Sequence, residues 1–237
     1  QTLALNYNYI GEAGARALAA ALEAGGSSAH PLGIMELSHN QMGDEGTKVL
    51  AAALVARGGG HGTLDLSANN ISSAGAKHLA EVFVRVRAFD RLDLSYNNIG
   101  DAGAKELAAW YVHGVKTLEL VSCGIGDEGA AALAAGVAAT GSTGYFGELL
   151  LQGNNIGDEG AEALAATVDA FERNTRTLSK LGMPRGHEKH RKLVAACKSK
   201  WVELVVDIHA VNQDLDPEIL RTYATYDTPG TGDIRLN

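Results

Sequence analysis

The chain has 237 residues, of which 46% are hydrophobic and 20% charged, and it carries a net charge of −8, a composition that excludes a disordered protein. No run approaches the roughly 20 apolar residues of a membrane-spanning helix, and no basic-then-apolar signal pattern is present, so we expect no membrane insertion and a cytoplasmic location. Cys123 and Cys197 are too few for a disulfide framework or a thiolate zinc site.

A nine-residue motif returns six times between residues 3 and 168. Its consensus is Leu-x-Leu-x-x-Asn-x-Ile-Gly, followed each time by a segment rich in Gly and Ala. The copies begin at Leu3, Met35, Leu64, Leu92, Leu118 and Leu149. The alternating apolar residues predict a short strand, the asparagine a turn, and the following segment a helix. One such unit cannot bury its own apolar face, so the units must stack, with parallel strands on one side and helices on the other.

The asparagine of the motif is predicted to form an internal ladder that satisfies backbone groups left unpaired by the turns. Its members are Asn8, Asn40, Asn69, Asn97 and Asn154. Cys123 occupies this position in the fifth copy, where we predict a small buried residue rather than a reactive thiol.

An aspartate and a glycine follow most of the turns. The aspartates are Asp44, Asp101, Asp127 and Asp158, and the glycines are Gly46, Gly103, Gly129 and Gly160. We interpret the aspartates as N-caps of the helices that they begin, and not as a repeated binding motif. The glycines are predicted to let helix and turn pack closely.

These motifs resemble leucine-rich repeats of the ribonuclease-inhibitor subtype, which are also found in NOD-like receptors and the Ran GTPase-activating protein. The resemblance covers about residues 1–172. It implies an α/β solenoid shaped like a horseshoe, with parallel strands on the concave face and helices on the convex face. It implies much less about activity, because the members share a scaffold and differ in their partners.

The residue between the two leucines of each motif projects from the predicted concave face. In chain order these residues are Ala4, Glu36, Asp65, Asp93, Glu119 and Leu150. Like charges on adjacent strands destabilise a sheet, so we predict that another protein with a basic or mixed-charge surface binds the four carboxylates. Tyr7, His39 and Tyr96 occupy the fifth position of the first, second and fourth motifs and are predicted to join this surface. The alternative is a solvated acidic face.

The C-terminal part differs in charge, because residues 1–172 carry −11 and residues 173–237 carry +3. Residues 173–213 are predicted to be a capping segment and a basic amphipathic helix from about residue 187 to 210. A second contact, with an acidic partner, is predicted at Arg185, Lys189, Arg191 and Lys192. A solvated helix face, or attraction to the acidic repeats, is the alternative. Nucleic acid is disfavoured by the scarcity of aromatic residues in this helix and by the acidic repeats.

Residues 214–237 resemble part of an EF-hand, with a helix from Pro217 to about Tyr226 and a loop from Asp227. Pro229 offers no side-chain oxygen at the third loop position, so Asp227 is only a weak calcium candidate. An ordinary helix followed by a Pro-Gly turn is the alternative. Elsewhere we predict no metal site, no cofactor and no catalytic motif, and therefore no enzyme.

The predicted function is a non-catalytic scaffold or adaptor for protein–protein interaction in a large multi-subunit assembly. Analogy with proteins that join such repeats to EF-hand-like elements adds a cilium or axoneme as a location. The abrupt ends at Gln1 and Asn237 lead us to expect a piece of a longer polypeptide. Two alternatives stay open: a GTPase-activating regulator similar to the Ran GTPase-activating protein, and the repeat region of a NOD-like immune sensor.

Overall fold

Six strand-helix units follow one another in the computed structural model. The structure describes residues 2–25, 33–56, 62–83, 89–109, 115–139, 147–170, 180–183, 195–196, 203–207, 224–226 and 233–236. The strands of the six units are β1 (Thr2–Ala4), β2 (Ile34–Glu36), β3 (Thr63–Asp65), β4 (Arg91–Asp93), β5 (Thr117–Glu119) and β6 (Glu148–Leu150). The helices are α1 (Gly11–Ala24), α2 (Gly43–Ala56), α3 (Ser73–Phe83), α4 (Gly100–Ala108), α5 (Asp127–Ala139) and α6 (Asp158–Ala170). The predicted repeat architecture is confirmed.

The strands form one sheet in which β1 to β6 are parallel and lie in chain order. β7 (Lys180–Met183) and β8 (Glu203–Asp207) continue the sheet in parallel. β9 (Ala224–Tyr226) and β10 (Asp233–Leu236) complete it, with β10 antiparallel to both β8 and β9. In the register of β1 to β6, equivalent motif positions are paired, so each row of side chains runs straight across the repeats.

The core lies between the sheet and the helices, because side chains alternate along each strand and only one set faces inward. Leu64, Leu66 and the α3 residue Leu79 are all buried there. Each helix packs against the next in chain order, and small residues such as Ala76 and Ala104 are buried between them. The other set of side chains, on the side of β1 to β6 that faces away from the helices, forms the strand face.

The asparagine ladder is formed as predicted, except at its first member. Asn154 shows the pattern, since its Oδ1 accepts hydrogen bonds from the backbone N–H groups of Cys123 (2.9 Å) and Ile125 (3.0 Å). Its Nδ2 donates to the carbonyl oxygens of Leu120 (2.7 Å) and Leu151 (2.8 Å). The amides of Asn40, Asn69, Asn97 and Asn154 thus link neighbouring repeats where the strands end and regular pairing stops. The prediction is wrong for Asn8, whose exposed side chain bonds, among the described residues, only to Asn6 in its own repeat.

Cys123 replaces the asparagine amide with a thiol in this ladder. The residue is fully buried, and its Sγ lies 3.2 Å from the carbonyl oxygen of Leu94. Burial raises the pKa of the thiol to about 12, so the group stays protonated at neutral pH. The prediction of a small buried residue is confirmed.

The aspartates after the turns bind helix N-termini, but the helices belong to the following repeat. Asp101, in α4, accepts hydrogen bonds through Oδ1 from the backbone N–H groups of Gly126 (2.7 Å) and Gly129 (2.8 Å) at the start of α5. Asp44 does the same for the first turn of α3, and Asp127 for that of α6. The predicted capping of each aspartate's own helix is therefore wrong for these three, because stacking places the next helix within reach of the carboxylate.

The C-terminal segments contain strands where helices are predicted. The amphipathic helix is wrong over Glu203–Asp207, which form β8, and the EF-hand-like helix is wrong over Ala224–Tyr226, which form β9. Residues 202–208 read Val-Glu-Leu-Val-Val-Asp-Ile, and such branched residues favour strands as soon as a sheet edge offers pairing. The parallel edge of β7 supplies that pairing for β8.

Candidate functional site

The predicted carboxylates form one continuous row on the strand face. Glu36 is paired with Asp65, Asp65 with Asp93, and Asp93 with Glu119 at directly facing positions of neighbouring strands. Ala4 and Leu150 occupy the same position at the two ends of the row. All four carboxylate residues are partly exposed, so the predicted side-by-side placement is confirmed.

Arg91 is the residue of this surface that the sequence analysis missed. It lies two residues before Asp93 and therefore on the same face of β4. Its Nε lies 2.6 Å from Glu119 Oε1, and its Nη2 lies 3.7 Å from Asp93 Oδ2. The hydrogen bond to Glu119 raises the pKa of the guanidinium, which stays charged. Folding itself thus relieves part of the repulsion in the row, and the four carboxylates with Arg91 carry a net charge of −3.

The other half of the row has no cation in direct contact among the described residues, and the charge of Arg91 acts on Asp65 only at longer range. Glu36 Oε2 accepts a hydrogen bond from Asn6 Nδ2 at 3.2 Å. Asp65 Oδ1 accepts hydrogen bonds from the backbone N–H of Ser67 at 2.9 Å and from its hydroxyl at 2.7 Å. These neutral donors orient the carboxylates but leave their negative charge in place. Over the described part of the chain, neither carboxylate has a Lys or Arg partner within ion-pair distance.

Asp93 is the most strongly perturbed carboxylate of the row. Only 14% of its side chain is exposed, and Glu119 beside it is equally covered. Burial, together with the negative charge of Glu119, raises the pKa of Asp93 to about 6, because both disfavour the charged form. The strand face therefore loses about one negative charge between pH 7 and pH 5.

We expect Asp93→Asn to raise the free energy of unfolding above pH 7 by about 1–3 kcal/mol, and the gain to shrink to near zero by about pH 4. The raised pKa makes the folded state bind more protons than the unfolded state between about pH 4 and 6, so stability falls as pH rises through that window. Urea unfolding between pH 4 and 8 measures this difference. Asp169→Asn, which removes one carboxylate at an exposed position of α6, is the control. A difference that stays constant with pH would contradict the assignment.

The aromatic residues lie at the edge of the strand face and have an unusual backbone conformation. Tyr7, His39 and Tyr96 all have positive φ, between 56° and 60°, and their backbone N–H groups bond to the next repeat. The rings of Tyr7 and His39 stack, with centroids 4.2 Å apart and an interplanar angle of 12°. Tyr96, which is 63% exposed, lies two repeats beyond His39. We call these three residues the aromatic rim.

Several predicted site residues lie outside the described residues. They are Arg185, Lys189, Arg191, Lys192 and Asp227. Their predicted roles, a basic contact and a weak calcium ligand, stay predictions. Among the residues that the structure does describe, no group of three or more His, Cys, Asp or Glu side chains is arranged to hold a metal ion.

Comparison with known proteins identifies the repeats. Five segments match the family model described as Leucine Rich repeat: 34–51, 63–80, 91–108, 115–134 and 148–165. Each contains one strand and at least the first part of the following helix, and the segment 91–108 contains all of α4. No curated protein matches the chain. In the part of the chain covered by the structure, none of the helices has the length and apolar character needed to cross a membrane.

Proposed function

We propose that this leucine-rich-repeat protein is a non-catalytic scaffold that binds another protein through its strand face. The observation that carries the proposal is the row from Glu36 to Glu119, in which four partly exposed carboxylates face one another with a single internal arginine. Like charges at directly facing positions of neighbouring strands repel one another and lower the stability of the fold. A partner that supplies positive charge reduces this repulsion when it binds. Leucine-rich repeats are widely used as protein-interaction scaffolds, which agrees with this assignment.

The proposal extends to the repeat subtype and to the partner. Each repeat joins a three-residue strand to a helix of 9 to 14 residues, which supports the ribonuclease-inhibitor subtype. The net charge of the row favours a partner with a basic or mixed-charge surface. The exposed aromatic rim adds the kind of side chain that carries binding energy in protein interfaces. A place in a multi-subunit assembly, and a cilium or axoneme as its location, stay predictions.

The test compares partner capture by three forms of the immobilised protein. The strand-face variant carries Glu36→Gln, Asp65→Asn, Asp93→Asn and Glu119→Gln. The control carries Glu23→Gln, Glu106→Gln, Glu159→Gln and Asp169→Asn, four exposed helix residues with the same total charge change. We expect the strand-face variant to capture at least about tenfold less of the specific partners than the unaltered protein, as quantified by mass spectrometry. The control should capture the same amount as the unaltered protein. Equal capture by all three forms would contradict the proposal, provided that thermal unfolding shows each form to be folded.

The GTPase-regulator alternative predicts a different result. A GTPase-activating protein raises the rate of GTP hydrolysis by its target, whereas a scaffold leaves that rate unchanged. Measuring hydrolysis by Ran-like GTPases with and without the protein therefore separates the two functions. An increased rate that survives in the strand-face variant would favour the regulator.

A further inference from the structure

An arginine joins two facing carboxylates in the fourth and fifth repeats. Asp93 and Glu119 occupy paired positions of β4 and β5, and Arg91 contacts both of them from the same face. A planar guanidinium suits this task because its N–H donors point in fixed directions and can reach two carboxylates at once. One arginine thus links two neighbouring strands.

The second and third repeats present the same pair of carboxylates without the arginine. Glu36 and Asp65 occupy paired positions of β2 and β3, in the same register as the pair farther along the sheet. The counterpart of Arg91 on β2 is Ile34, an apolar residue that is 39% exposed. Among the described residues, the two carboxylates accept only amide and hydroxyl hydrogen bonds. No described Lys or Arg therefore pairs with Glu36 and Asp65 as Arg91 does with Asp93 and Glu119.

The aromatic rim supplies a second feature of the first two repeats. His39 follows Glu36 by three residues, and its ring stacks on that of Tyr7 from the neighbouring repeat. Tyr7 is 67% exposed, so the stacked pair presents aromatic surface to solvent in the first two repeats. Guanidinium groups stack on aromatic rings and retain their in-plane hydrogen bonds, whereas an ammonium group is a compact point charge.

We propose that Glu36 and Asp65 bind an arginine side chain from an extended segment of the partner protein, with its guanidinium across the two carboxylates and the neighbouring partner residues against Tyr7 and His39. The inference rests on the proposed function, since it specifies what the strand face recognises. The pair of carboxylates should bind arginine more tightly than lysine, because the geometry of the donor groups must match as well as the charge. Glu36 and Asp65, which have no ion-pair partner among the described residues, supply the negative charge that complements the guanidinium.

The test uses a short glycine-serine peptide that carries three arginines at alternate positions, titrated into the isotope-labelled protein. Binding is followed by NMR through the backbone amides of Glu36 and Asp65. The reference peptide has lysine in place of each arginine and therefore the same charge. We expect the arginine peptide to bind at least about fivefold more tightly, with the largest shifts in β2 and β3.

Two variants test the site itself. Ile34→Arg places an arginine of this chain at the position equivalent to Arg91, so we expect it to fill the site and weaken peptide binding at least about tenfold. Glu36→Gln combined with Asp65→Asn should weaken it to a similar extent without adding a bulky group. Glu106→Gln combined with Glu159→Gln, on the helices, is the charge-matched control and should bind like the unaltered protein.

Equal affinity for the lysine peptide, or unchanged affinity of the Glu36→Gln, Asp65→Asn variant, would overturn the inference. Its failure is distinguishable from failure of the proposed function. If the strand-face variant loses its captured partners but the arginine peptide does not bind, the scaffold proposal stands and the arginine site is wrong. If capture is unchanged in that variant, the proposed function is wrong as well.

Discussion

Replacing Asn97 with alanine is expected to lower the free energy of unfolding by about 3–5 kcal/mol. Its Oδ1 accepts hydrogen bonds from the backbone N–H groups of Asn69 and Ile71, both at 2.9 Å. Its Nδ2 donates to the carbonyl oxygens of Leu66 at 3.0 Å and Leu94 at 2.9 Å. Alanine would leave the N–H groups of Asn69 and Ile71 and the carbonyl of Leu66 without these hydrogen bonds, whereas the Leu94 carbonyl would keep the Cys123 thiol as a donor. Each buried group that loses its partner costs about 1–3 kcal/mol before the structure relaxes.

Urea unfolding followed by circular dichroism measures the loss, and Asn8→Ala is the matched control. Asn8 lies at the first turn and is exposed, and its amide nitrogen donates to the carbonyl oxygen of Asn6 at 3.0 Å. Water can replace that hydrogen bond, so we expect a loss below about 1 kcal/mol. Hydrogen exchange provides a local readout, because the amides of Asn69 and Ile71 should lose protection in Asn97→Ala. A similar decrease in the free energy of unfolding for Asn97→Ala and Asn8→Ala would show that the buried hydrogen bonds of the ladder do not stabilise the fold to this extent.

Replacing Gly129 with alanine is expected to lower the free energy of unfolding by about 2–4 kcal/mol. A methyl group at this position would lie 2.5 Å from Asp101 Oδ1, 2.7 Å from Ile125 Cγ2 and 3.0 Å from Asp101 Cα. The same Asp101 oxygen accepts the hydrogen bonds from Gly126 and Gly129, so moving it away breaks the cap of α5. Helix propensity acts in the opposite direction and favours alanine by about 1 kcal/mol, which is smaller than the cost of the clash.

A double-mutant cycle with Asp101→Ala separates the clash from the lost cap. If the methyl group acts mainly through the carboxylate, Gly129→Ala should cost at least about 1 kcal/mol less in the Asp101→Ala background. Ala135→Gly, at an exposed position of the same helix, calibrates the propensity contribution. A stabilising effect of Gly129→Ala in the unaltered background would contradict the close contact between the two repeats.

The strand face was predictable in outline because side chains alternate along a strand. Once the Leu-x-Leu pattern is recognised, Glu36 and Asp65 must project from the sheet. They occupy the same position of their motifs, so stacking of the repeats places them side by side. Arg91 follows the same alternation, two residues before Asp93, so the sequence contained a signal for it. Its pairing with Glu119 on the next strand depends on the conformation of a long side chain, and composition and spacing do not specify that.

The aspartate caps show a second limit of sequence reasoning. An aspartate near a helix start is a local signal, and the chemistry that it predicts, acceptance of backbone N–H groups, is what the structure contains. The partner is nevertheless 25 or 28 residues away in the chain, as for Asp101 with Gly126 and Gly129. These hydrogen bonds join two adjacent repeats, and only stacking brings the carboxylate and the N–H groups together.

The sequence by itself determined the repeat length, the order of strands and helices in residues 2–170, the asparagine ladder and the row of carboxylates, because each depends on periodicity that a stacked solenoid must preserve. Tertiary structure decided the conformation of Glu203–Asp207 and Ala224–Tyr226, the identity of the capped helices and the ion pairs of Arg91 with Asp93 and Glu119. In each of these cases the deciding interaction is made with a neighbouring strand or repeat. Local pattern specifies which groups are available for such contacts, and packing selects the partners.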